Sequence, residues 1–146
     1  MKHTLFSLTI SACITAFSVA HADEKTDTSA AEKPMKHLKL PDITNEKQAT
    51  AVMKSTTKKL SEKSKFDAKE LHEIHMITYS LEKAIAYFVK NTTGDQLATA
   101  KKMAVVVEEV HLNSESNRPE KTKKALNAYF KLESKFSKNM AVSQIK

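Results

Sequence analysis

Two histidines three residues apart, His72 and His75, precede Tyr79 and Glu82 in the stretch ELHEIHMITYSLEK (70–83). A second polar set, Glu108, His111 and Glu115, occurs in VEEVHLNSE (107–115). Imidazole nitrogens with carboxylate oxygens form the donor set of zinc, copper, nickel and iron sites, and no thiolate is needed. Glu108-x-x-His111 has the spacing that di-metal carboxylate bundles project inward from one helix. A full di-metal site requires two such pairs and two further glutamates, whereas only one pair is present, so the pattern supports a mononuclear site. Its expected ligands are His75 and His111 with Glu108, assisted by His72 or Glu115.

The same side chains admit two other readings. A histidine, a tyrosine and a glutamate that satisfy one another across two helices fix helix register with no ligand, because buried polar groups are almost always hydrogen-bonded. A non-covalent haem takes a methionine and a histidine as axial ligands, and Met53, Met76 or Met103 beside His75 or His111 would supply them. Catalysis has little in its favour: there is no serine or cysteine nucleophile with a base at usable spacing and no glycine-rich phosphate loop. The chain is expected not to be an enzyme.

The elements that must position these residues are helical. After residue 42 the chain has one glycine, Gly94, and one proline, Pro119, and it lacks sustained period-two alternation. A first helix is expected from about Asn45 to Glu62, with Asn45 and Gln48 as a capping box and Ala49, Val52, Met53, Thr56 and Leu60 facing inward. The second begins at Asp67, with Glu70 reaching back and Phe66 stapling Leu71; its seam is Leu71, Ile74, Thr78, Leu81, Ile85 and Phe88. The third starts near Asp95 and carries Leu97, Ala100, Ala104, Val107, His111 and Ser114, widened by Met103, Val106 and Val110. The fourth opens at Asn117 with Pro119 and Glu120, and repeats Ala125, Tyr129, Leu132 and Phe136. Short connections make an antiparallel up-down four-helix bundle over residues 43–140 the expected architecture, all-α in class. A hairpin centred near residues 93–94 then brings residues whose numbers sum to about 186 to one height, setting His75 level with His111, His72 with Glu115 and Tyr79 with Glu108.

The ends and the composition set the address. MKHTLFSLTISACITAFSVAHA has a lysine, an uncharged apolar run shorter than a bilayer span and an Ala20-His21-Ala22 site, the build of a secretory signal peptide covering residues 1–22. Ile10-Ser11-Ala12-Cys13 resembles a lipoprotein box, but the residues after Cys13 continue apolar where a lipoprotein turns polar. Cleavage after Ala22 would remove Cys13, the single cysteine, so neither a disulfide nor a cysteine-ligated zinc site is expected. A polar leader with Pro34 and Pro41 (23–42) and a short tail (141–146) flank the helices, and a bacterial periplasm is the expected location. The formal charge is +7 and almost all of it is lysine, Arg118 being the lone arginine. That argues against nucleic-acid reading, which favours bidentate arginine contacts; the lysines are expected to form a solvated face, and nothing concentrates them enough to indicate attraction to an anionic membrane surface.

At HMITYSLEKA and VEEVHLNSE the chain resembles a family of short exported bacterial proteins of uncharacterised function, with His-x-x-Thr-Tyr-x-Leu-Glu on one helix and Leu-Glu-x-Val-His-x-x-Ser-Glu on the next. The match falls on His75, Thr78, Tyr79, Leu81 and Glu82, then on Glu108, Val110, His111, Ser114 and Glu115. Val107 stands where the pattern has leucine, and an amino-terminal His-aromatic-x-Gly-Lys element is replaced by His37-Leu38-Lys39-Leu40. The resemblance implies a periplasmic helical domain and brings no activity. The expected function is therefore metal binding between the second and third helices. Its rival is a module that binds a protein partner or maintains the envelope, with an architectural polar cluster and an apolar stripe left uncovered by the weakly patterned first helix.

Overall fold

The computed structural model of the protein describes residues 40–143; the expected signal peptide, Cys13, the leader up to residue 39 and the last three residues of the tail lie outside them. The protein is all-α, with helices α1 (Glu46–Ser61), α2 (Ala68–Asn91), α3 (Gly94–Glu115) and α4 (Pro119–Ser143) and no strand among the described residues. Consecutive helices pack on one another, α1 on α2, α2 on α3 and α3 on α4.

Each start has a local cause. Asn45 Oδ1 accepts the Gln48 amide at 2.9 Å, while Gln48 Oε1 accepts from the backbone and hydroxyl of Thr44, one residue before the cap. Asp67 caps α2 by accepting the Glu70 amide. Glu70, expected to reach back to the cap, instead gathers with its Oε2 the amides of Ser64, Lys65 and Phe66 at 3.1, 2.7 and 2.8 Å. Phe66 sits at φ +52°, a left-handed conformation costly for an aromatic residue, and the three converging amides are what that turn offers an anion. Those amides, that of Phe66 foremost, hold the Glu70 carboxyl below its ordinary range.

Thr92 and Thr93 alone separate α2 from α3, and Gly94 at φ +56° supplies the turn that a side-chain-bearing residue would resist. The α3–α4 junction departs from expectation. Asn117, expected to open α4, has φ +52° and closes α3 instead, while the Arg118 carbonyl receives the first α4 bond from the Thr122 amide. An asparagine tolerates the left-handed region, so it serves the end of a helix as readily as a start.

Most residues of the expected seams are buried, while Val52, Leu97, Ala104, Val106, His111 and Leu132 are only partly so. Ile74, Thr78 and Leu81 of α2 are fully enclosed, as are Val107 of α3 and Tyr129 and Phe136 of α4. Phe88 and Phe136 meet edge to face at 4.9 Å, and the Tyr129 hydroxyl bonds Thr57 Oγ1 at 2.6 Å, tying α4 to α1. At the end of the leader, Lys83 Nζ donates to the Leu40 carbonyl at 2.6 Å and reaches Asp42 at 3.3 Å, which secures that segment to α2. The large exposed apolar side chains, Val105 and Leu112, lie on α3 and not on the first helix.

Candidate metal centre between α2 and α3

The α2–α3 contact brings His75 and His111 together with ring centroids 4.5 Å apart and planes at 72°. Tyr79, one turn beyond His75, completes a mutual edge-to-face cluster at 5.0 Å from His75 and 4.9 Å from His111. His75 is buried at 3% exposure, His111 is half-buried, and Glu115 is exposed at the end of α3. One donor atom from each of these three lies within 4.8 Å of the others.

The hydrogen bonds fix how His111 presents itself. Thr78 Oγ1 donates its single proton to the His75 carbonyl at 2.6 Å, so at 3.0 Å from His111 Nδ1 the same oxygen can only accept. Glu82 Oε1 also lies 2.9 Å from that nitrogen, and a carboxylate accepts too. Nδ1 therefore carries the hydrogen, and Nε2 keeps a free lone pair. Metal-binding histidines are commonly held this way, with one nitrogen donating to a carboxylate and the other directed at the ion.

His75 is in a different position. The Tyr79 hydroxyl stands 3.3 Å from its Nε2, while its Nδ1 is buried with no hydrogen-bond partner. A buried nitrogen of this kind costs about 1–3 kcal/mol if nothing satisfies it. Burial holds the His75 pKa below its ordinary value of 6.5, and the positive charge that His111 and His72 can carry pushes the same way. Glu115 and a backbone contact from His111 oppose them. In the neutral tautomer that donates Nε2–H to Tyr79, the buried Nδ1 keeps a bare lone pair. Burial likewise raises the Glu82 carboxyl above 4.5, against the pull of His111 and with help from Glu108.

Of the five side chains expected from sequence to hold an ion, three converge: His75, His111 and Glu115. His72 is exposed with its ring 6.4 Å from that of His75, outside the trio. Glu108 is exposed and also stands outside it, and the carboxylate against His111 is Glu82. Sequence reasoning did not give Glu82 or Thr78 a role beside His111. The signal was present in the spacing, since Glu82 lies seven residues after His75 and seven residues are two helical turns. Met53 and Met103 are enclosed in the core at 1% exposure, so a haem using either would displace core packing.

The trio fits a small ion in donor type. In a tetrahedral site with bonds of about 2.0–2.1 Å, donors stand roughly 3.3 Å apart. The three donors lie within 4.8 Å of one another, and Glu115, exposed at a helix end, can adjust its distance on binding.

No helix among the described residues is long and apolar enough to cross a membrane. No curated protein and no solved structure matches the chain at a significant level. Residues 1–138 match the Family of unknown function (DUF6746), and the chain belongs to that family.

Proposed function

We propose that the chain is an exported periplasmic protein, its first 22 residues removed after Ala22, whose four helices form an antiparallel up-down bundle that binds one transition-metal ion without catalysing a reaction. The ligands are His75 Nδ1, His111 Nε2 and a Glu115 oxygen, with zinc, copper, nickel or iron compatible with two imidazoles and a carboxylate. Glu82 and Thr78 orient His111, and Tyr79 orients His75. The observation that carries this reading is the buried, partnerless His75 Nδ1 beside a second imidazole whose far nitrogen is left free by its own hydrogen bonds. Export is supported by the amino-terminal pattern of a lysine, an apolar run and Ala20-His21-Ala22. The bundle arrangement is supported by the His75–His111 contact across a two-residue connection.

Elemental analysis of the purified protein, with thermal melting in the presence and absence of added zinc or copper, tests the function. A bound ion and a raised melting temperature that His111→Ala abolishes are expected. An ion-free protein whose melting point does not move would refute metal binding. It would favour the second reading, an architectural cluster in a module that binds a protein partner or maintains the envelope. That reading draws on the Thr78–His111–Glu82 bonds, which need no ion, and on the exposed Val105 and Leu112 as its contact surface.

A further inference from the structure

The fold concentrates charge that the linear sequence disperses. Helices α1 and α4 together carry ten lysines against three acidic side chains, whereas α2 and α3 carry five lysines against seven. The net is +7 on one helix pair and −2 on the other. The Thr57–Tyr129 bond joins α1 to α4, and Glu46 and Met140 line one cavity at another point, so the two basic helices are neighbours. Lys47, Lys54 and Lys58 on α1, and Lys124, Lys131 and Lys135 on α4, repeat the same spacing of seven and then four residues, which keeps each set on one helix flank. All six are exposed. Among the described residues, the ion pairs engage Lys63, Lys83 and His111 and none of these six.

We infer that the α1/α4 face docks on an anionic phospholipid surface. Charge complementarity gives the sign of the partner, and two further observations give its kind. The basic groups are all lysine on this face, and a flexible, strongly hydrated point charge suits a plane of mobile headgroups better than a partner needing fixed bidentate contacts. A protein partner is ordinarily gripped by exposed aromatic or apolar anchors, whereas the exposed large apolar side chains lie on α3. The docked protein would hold α1 and α4 against the lipid and turn the His75–His111–Glu115 cluster, on the acidic side, toward the water. The inference rests on the charge distribution and is independent of metal binding.

The test is cosedimentation of the protein, purified from cells expressing the full chain, with vesicles of phosphatidylglycerol and phosphatidylethanolamine, or of phosphatidylcholine alone. Binding to the anionic vesicles at low salt, weak binding to phosphatidylcholine and release as added salt shortens the screening length are expected. The triple variant K54Q/K131Q/K135Q should lower partitioning about a hundredfold, and K90Q/K101Q/K102Q, which removes the same charge from α2 and α3, only severalfold. All six positions are exposed, and unchanged melting curves verify that both variants fold. Equal losses in the two variants would reduce the effect to net charge and overturn the inference. So would equal binding to phosphatidylcholine, or no binding to anionic vesicles, the outcome expected if an acidic protein were the true partner.

Discussion

Replacing His75 by leucine separates a ligand from a structural histidine. In the metal-free protein the substitution removes a buried nitrogen without a partner, relieving about 1–3 kcal/mol. Against this stands the bond to Tyr79 at 3.3 Å, at the weak end of the ordinary range and worth roughly 0.5 kcal/mol. The edge-to-face contacts with Tyr79 and His111 add about 0.5–1.5 kcal/mol each to the loss. Leucine is of similar volume, so no large cavity opens. The terms nearly cancel, and metal-free His75→Leu is expected within about 1 kcal/mol of the parent, a melting shift of roughly 5 °C or less in either direction. Leu81→Ala, at a fully enclosed neighbouring position, should cost about 2–5 kcal/mol under the same conditions. The assay is thermal melting at pH 8 in the presence of a chelator, repeated with zinc at a hundredfold excess over its dissociation constant. There the parent should gain about 2.7 kcal/mol and the variant nothing. A loss of about 3 kcal/mol or more in chelator would show that His75 is a satisfied structural group, and the reasoning from its unpaired nitrogen would fall.

Two further outcomes follow from the same geometry. In the metal-free protein the lowered His75 pKa means that the unfolded chain binds the extra proton, so stability should fall as pH drops below about 6.5, and His75→Leu should flatten that slope between pH 7.5 and 5.5. Glu82 acts with the opposite sign in a more acidic range: its raised pKa adds stability that is complete below 4.5 and lost as pH rises through its folded value. Tyr129→Phe should cost about 1 kcal/mol by leaving Thr57 without its partner. Thr57→Val in the same chain should recover part of that cost, and strict additivity in chemical denaturation of the two single variants and the pair would show that the bond contributes nothing.

Much of this was legible in the residues themselves. The helical seams announce themselves because an apolar side chain every three or four positions has only one face to bury, and Leu71, Ile74, Thr78 and Leu81 all proved enclosed. Bringing His75 opposite His111 needed only a short turn and matched helix lengths. What the spacing did not resolve was the choice among carboxylates. Glu82 and Glu108 stand on opposing helices close enough for one to perturb the other, and which of them meets His111 depends on helix rotation by a few tens of degrees, finer than residue periodicity specifies. Asn117 escaped for a related reason, since the same residue type caps helix starts and tolerates left-handed ends. The lysine-rich face was hidden because it is assembled from α1 and α4, which fifty-seven residues separate in sequence, and becomes a face only where Thr57 meets Tyr129.

The most direct measurement is X-ray absorption at the zinc edge of the protein carrying one equivalent of zinc. Two imidazoles per ion with zinc–nitrogen distances of about 2.0 Å, together with an oxygen shell, are predicted, with one imidazole lost in His75→Leu and one in His111→Ala. A shell of oxygens alone, or a spectrum unchanged by either substitution, would contradict a metal centre between α2 and α3.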